Sequence, residues 1–133
     1  MASNDALEFG TKLLVDYWDS KDVDAFVGCF TEDAVWTVNT SPPAQGIEAV
    51  KQVTEALMRL TKGSKHSELV GLVSNDGTTY TVYGKVSYEI EGYEGAVDCS
   101  FCDVITVKDG KVAECSTFMD TAPLNPSPDA SSG

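Results

Sequence analysis

The hydrophobic period of this chain changes once, near Ser64. Before that point apolar residues recur every three or four positions, and beyond it they alternate. A helix brings residues three and four apart onto one face, whereas a strand alternates its two faces. The change therefore predicts helices first and a meander of strands after them, an α+β domain with its helices on one face of the sheet. Leu7, Phe9, Leu13, Leu14, Tyr17 and Trp18 mark a first helix over Ala6 to Trp18. Asp19-Ser20-Lys21-Asp22 supplies turn and N-cap chemistry for a short second helix carrying Val23, Phe26, Val27 and Phe30. Ala34 to Val38 is a short strand, broken by Ser41-Pro42-Pro43. Gly46 opens a third helix with Ile47, Val50, Val53, Leu57 and Leu60 on one side and Lys51, Glu55 and Arg59 on the other, closing near Lys62-Gly63. Four strands follow, His66 to Ser74, Thr78 to Glu91, Gly95 to Lys108 and Lys111 to Asp120. Their short turns make the sheet antiparallel.

At 133 residues the chain makes one domain, placed at 1–124, with the Pro- and Ser-containing stretch 125–133 read as a disordered tail. Nine basic against 21 acidic residues give a net charge of −12, which repels nucleic acid and anionic membranes. The N-terminus lacks the pattern of a secretory signal, and no apolar stretch approaches the roughly 18 residues of a membrane span. Cys29, Cys99, Cys102 and Cys115 lie in apolar segments without the histidine partners of a zinc site. They read as buried, reduced thiols, and the cytosol is the expected compartment. There is no phosphate loop, dinucleotide fingerprint, nucleophile elbow or zinc or calcium spacing, so neither cofactor nor metal is expected.

Polar residues that interrupt the alternation are the candidates for chemistry. One face of the strand from Val97 to Val107 reads Val97, Cys99, Phe101, Asp103, Ile105, Val107. A carboxylate among apolar neighbours is costly unless bonded, paired or protonated, and burial raises its pKa, so Asp103 is a candidate proton donor or acceptor. The competing readings are structural: both faces of the strand are covered, or Asp103 bonds backbone or a tyrosine and closes the packing. His66, the only histidine, stands where the third helix meets the first long strand, either at a cavity rim or as a structural residue. Asp120 closes the last strand beside Phe118, as a second carboxylate or as a turn cap. Asp5, Asp16, Asp19, Asp22, Asp24, Glu32 and Asp33 flank helix ends and turns and read as caps and solvated faces. Tyr17, Trp18, Trp36, Tyr88, Phe101 and Phe118 either line a ligand cavity or fill an ordinary core.

The first half, Tyr17-Trp18-Asp19-Ser20-Lys21-Asp22-Val23-Asp24, Phe30-Thr31-Glu32-Asp33-Ala34-Val35-Trp36 and Gly46-Ile47-Glu48-Ala49-Val50, resembles the nuclear transport factor 2-like superfamily. The second half, with His66, Asp76-Gly77, Tyr93-Glu94-Gly95, Asp103 to Val112 and Phe118-Met119-Asp120, resembles its SnoaL-like branch. The resemblance covers residues 6 to 124. It implies a cone-shaped α+β barrel, with a curved, mostly antiparallel sheet against three helices, an apolar pocket, and a homodimer formed through the outer sheet face. Pocket positions implied are Leu14, Tyr17, Trp18, Trp36, Val38, Val53, Leu57, Tyr88, Phe101 and Phe118.

Compared with the ketosteroid isomerases, Asp103 matches the buried acid that stabilises the enolate, but Leu14 and Val38 stand where the tyrosine and the base would be. Trp18-Asp19-Ser20-Lys21-Asp22 and His66 are similar to part of the scytalone dehydratase site, whose second histidine has no counterpart here. The Asp-Arg-Asp relay of limonene epoxide hydrolases does not form, since Arg59 is the only arginine. What the polyketide cyclases imply is a pocket carboxylate, Asp103 or Asp120, that removes a proton without a cofactor. The expected function is thus a cofactor-free cyclase, isomerase or dehydratase acting on a small apolar, polyketide- or terpenoid-like molecule. Asp103, His66 and Asp120 are its catalytic candidates. The alternative is a non-catalytic module of the same fold that binds an apolar ligand or dimerises.

Overall fold

The computed structural model describes residues 4–124. The sequence reading of 125–133 as a disordered tail lies outside them. The first helix is α1, Asp5–Gly10, which runs without a break into a wider π-helical segment, Thr11–Trp18. Then come α2 at Val23–Val27, strand β1 at Phe30–Val38, a two-residue strand β2 at Ala44–Gln45, and α3 at Ile47–Leu60. The long strands are β3, Gly63–Val73; β4, Thr79–Glu89; β5, Ala96–Lys108; and β6, Lys111–Met119, before a short 3-10 turn at Ala122–Leu124.

These strands form one curved, unclosed sheet in the order β2-β1-β6-β5-β4-β3. β3 to β6 pair antiparallel through hairpins, as the short turns predict. β1 instead runs parallel to β6, because α3 and the hairpins separate the two strands in the chain. The helices lie on the inner face: α1 packs on β3 and β4, and α3 packs on β1, β2 and α2. Gly71 permits the first of these contacts, since a Cβ there would collide with the backbone of Ala6 and Leu7.

Several boundaries differ from the sequence reading. The second helix ends at Val27, and Phe30 opens β1, buried opposite Val112. Its helical spacing from Val23 reflected burial on a shared core, which a strand entry satisfies equally. Gly63 does not cap α3. The cap is Thr61 in extended conformation, and Gly63 already begins β3. β2 hides in the loop after Pro43, where two residues pair with Val35 and Trp36.

Candidate active site

Between the helices and the inner sheet face lies a cavity of about 470 Å³. Its depth follows from strand register. Inward residues of β5 are Cys99, Phe101, Asp103 and Ile105, and Ile105 is fully buried at the closed end. At the opposite end Leu60, Thr61, Ile90, Tyr93, Thr121 and Leu124 frame the mouth, where Leu60 is 67% exposed. The Tyr93 hydroxyl donates to the Leu124 carbonyl across this rim at 2.5 Å. The remaining wall is almost wholly apolar, with Leu13, Leu14, Phe26, Phe30 and Trp36 prominent. Phe26, Phe30, Trp18 and Trp36 pack ring against ring, with centroids 4.9 to 6.1 Å apart.

Asp103 faces this cavity and is 5% exposed, and its Oδ1 has no hydrogen-bond partner among the described residues. Burial pushes its carboxyl up to about 6, opposed by the Thr117 hydroxyl and by the His66 ring. Thr117 sits directly across from Asp103 on β6. The indole Nε1 of Trp36 donates to Thr117 Oγ1 at 2.9 Å, which leaves the hydroxyl proton free to serve Asp103. Most buried polar atoms are satisfied, so a cavity-facing carboxylate oxygen with no partner points to a ligand or a reactive proton.

His66 reaches the same cavity from β3, edge-on to Phe101 with centroids 5.1 Å apart. Its Nδ1 lies 2.7 Å from Asp19 Oδ1. An ionised carboxylate only accepts, so this nitrogen carries the proton and Nε2 is left for the cavity. Asp19 also accepts from the His66 backbone N–H at 2.8 Å and from Ser64 Oγ at 2.6 Å. The π-helical segment delivers it there: the Asp19 N–H reaches back five residues to the Leu14 carbonyl, widening the turn just before the carboxylate. With Leu13, Leu14 and Trp18 on the cavity wall, this helix end supplies both wall and charge.

The SnoaL-like domain family, as a sequence model, matches residues 12–115. The chain belongs to the SnoaL-like family. Solved structures agree on the fold. A proposed polyketide cyclase of Silicibacter sp. TM1040 superposes with a TM-score of 0.78 at 16% identity, over 96% of this chain and 98% of that one. One from Pseudomonas putida KT2440 gives 0.76 at 16%, over 90% and 94%. A phenazine biosynthesis-related protein of Pseudomonas aeruginosa gives 0.72 at 15%, over 90% and 84%. No curated protein matches the sequence.

Within this SnoaL-like cavity the structure gathers Leu14, Trp18, Trp36, Val38, Leu57, Tyr88 and Phe101, together with His66 and Asp103. Four sequence candidates lie elsewhere. Asp120 is exposed, outside the cavity, and its Oδ1 accepts from the Ala122 N–H, so it caps the turn. Phe118, 53% exposed, points to the outer face. Tyr17 and Val53 are half-buried in the helix packing beside the core. The alternation of β6 carried the signal for two of these, since Cys115, Thr117 and Met119 face in and Phe118 and Asp120 share the opposite parity. Asp19 and Thr117 escaped the sequence reading. Asp19 looked like one more helix-end acid, and its role appears only when β3 comes beside the π-helical end.

Contrary to the expectation that no zinc spacing is present, Cys99-Ser100-Phe101-Cys102 has Cys-x-x-Cys spacing, but three positions along a strand set the thiols on opposite faces. All four cysteines are free. Among the described residues no three His, Cys, Asp or Glu side chains form a metal-binding group, and no helix is long and apolar enough to cross a membrane.

Proposed function

We propose that this SnoaL-like protein is a cofactor-free acid–base enzyme of cyclase, isomerase or dehydratase type, acting on a neutral, largely apolar, polyketide- or terpenoid-like molecule. The observation that carries this reading is the partnerless Oδ1 of Asp103, buried in the same cavity as the His66–Asp19 pair. In the proposed step the Asp103 carboxylate takes a proton from carbon beside a carbonyl, and the electron pair moves to the carbonyl oxygen as an enolate. His66, oriented through Nδ1–H by Asp19, stabilises the developing charge in its imidazolium form, in which Nε2–H donates to the enolate oxygen. Returning the proton to another carbon isomerises the substrate; attack of the enolate carbon on a second carbonyl closes a ring. Both outcomes use the same residues and need no group from outside the chain. Four free cysteines suit a reducing, cytosolic setting.

The test is solvent deuterium exchange into β-tetralone, a neutral bicyclic ketone, followed by NMR. Wild type accelerates exchange of the acidic C–H and Asp103→Asn does not. Exchange no faster than in buffer, or an Asp103→Asn protein as active as wild type, overturns the reading.

We propose further that two copies pair through the outer sheet face. Val70, Tyr83, Cys102 and Phe118 stand in one register row across β3, β4, β5 and β6, and Val70, Tyr83 and Phe118 are exposed. A shift from dimer to monomer in light scattering of Phe118→Lys is the expected result, and an unchanged mass would sink it.

A further inference from the structure

Tyr88 takes no part in the proton transfer proposed above, and its hydroxyl is poorly employed. The side chain is buried and faces the cavity, and the hydroxyl's partner among the described residues is the Met119 thioether, 3.6 Å away. A thioether is a weak acceptor, whereas buried tyrosine hydroxyls usually hold a strong one. Burial and the nearby Cys99, Asp103 and Asp19 push the phenol upward, so it stays protonated and remains a donor.

Register locates that donor. Tyr88 pairs with Val97 and Met119 pairs with Phe101. The two side chains meet across β5, so the hydroxyl lies between the levels of Val97 and Phe101. Phe101 is the inward residue next to Asp103, about 7 Å along the strand, and is also the residue against which His66 packs. His66 stands at the level of Cys99 through Val86, within that same interval, and the partnerless carboxylate oxygen of Asp103 lies further along β5. Among the described residues no Lys or Arg lines the cavity, and the His66 ring is already paired with Asp19, which favours a neutral ligand.

We infer that the Tyr88 hydroxyl is a docking donor for a carbonyl oxygen, and that the ligand is a neutral ketone with a flat apolar body whose oxygen binds on the Phe101 side of Asp103. The inference deepens the proposed function by naming the ligand class. A carbonyl oxygen replaces the weak sulfur contact with a strong hydrogen bond, and the aromatic and aliphatic walls bury the body. Held there, the carbon beside the carbonyl lies toward Asp103, the arrangement that proton removal requires.

The experiment compares methyl naphthyl ketone with isopropylnaphthalene, a probe of similar shape lacking the oxygen. Binding to wild type and to Tyr88→Phe is measured by calorimetry at about pH 8, where Asp103 is ionised and can only accept. Wild type prefers the ketone, and Tyr88→Phe lowers that preference about tenfold, the worth of one hydrogen bond, while hydrocarbon affinity stays within a factor of about two. The infrared carbonyl stretch of the bound ketone moves to lower frequency in wild type and reverts in Tyr88→Phe, a change that packing alone would not produce. An equal preference in the two proteins, an unshifted carbonyl stretch in wild type, or loss of hydrocarbon binding in parallel with ketone binding overturns the inference. Failure of the proton-exchange reading is separable, because it would leave ketone preference and the stretch intact.

Discussion

Asp103→Asn should make the protein more stable, and by an amount that grows with pH. Asp103 is buried with one oxygen unpartnered, and its carboxyl lies at about 6 rather than in the usual range near 4. The folded state therefore holds the Asp103 proton more tightly than the unfolded chain does. Below the ordinary carboxyl range both states are protonated and the side chain carries no ionisation cost. As pH rises from about 4 to about 6 the unfolded chain gives up its proton first, and native stability falls; above about 6 the loss is complete. At 1.36 kcal/mol per pH unit the full cost is about 3 kcal/mol. About half of it is already present at pH 5, so a further 1.4 kcal/mol or so develops between about pH 5 and 8. Asn has nearly the same shape and no charge, so it escapes this cost at every pH.

Urea unfolding of both proteins measures the effect directly, with the lower pH kept above the isoelectric point of about 4.2. The stability difference between Asp103→Asn and wild type should widen by about 1.4 kcal/mol over that range, or roughly 5 °C in Tm for a domain of this size. The direction matters more than the absolute offset, since Asn adds a constant of its own. A difference that does not vary with pH, or one that narrows as pH rises, would refute the claim that Asp103 is held against an unfavourable ionisation. If the difference widens as expected while turnover is lost, the carboxylate is kept for chemistry at the expense of stability.

Three other changes probe the supports of the site. Thr117→Val removes the acceptor for Trp36 Nε1 and the donor for Asp103. It should cost about 1–3 kcal/mol in urea unfolding and shift the pH dependence of proton exchange, expected to follow the Asp103 carboxyl at about 6, to higher pH. Asp19→Asn withdraws the charge that accepts from Ser64, the His66 backbone and the His66 ring. Proton exchange into the ketone should fall at least about tenfold, and the imidazole N–H resonance, the only one in a single-histidine chain, should disappear from the NMR spectrum. Gly71→Ala forces a methyl against the Ala6 and Leu7 backbone, so a loss of about 3 kcal/mol or more is expected, with accelerated hydrogen exchange in α1.

The fold was legible because both halves of the chain obey their period. β5 is the clearest case: its alternation alone set Phe101, Asp103 and Ile105 on one face and Cys102 and Val104 on the other, and burial follows that division. Where one side chain could serve two elements, period was not enough. Phe30 extends the spacing of Val23 and Phe26 yet belongs to β1. Candidate residues followed the same rule. Asp103, whose charge interrupts the alternation of β5, and His66, the only histidine, at the junction of helix and strand, stood out, whereas Asp19 sits among six other acids at helix ends and turns and differs from them only in what lies opposite. Asp120 lies outside the cavity because it shares the outward parity of Phe118 rather than the inward parity of Thr117.

The contrast between Asp19 and Asp103 bears on the acid–base chemistry proposed for this cavity in a chain with a net charge of −12. Asp19 takes three hydrogen bonds from Ser64 and His66, so its charge is satisfied locally and serves to orient the imidazole. Asp103 receives much less, and burial pushes it toward the neutral form. Burial and the difference in donors thereby set the two carboxylates apart: Asp19 is held by three hydrogen bonds, whereas Asp103 is pushed up to about 6. If that division is right, supplying Asp103 with a donor should remove its reactivity as surely as removing its charge. Val82, its fully buried neighbour on β4, is the place to try. Val82→Thr adds a hydroxyl at nearly constant volume, and it should lower the midpoint of the pH–rate profile and reduce the rate on the plateau.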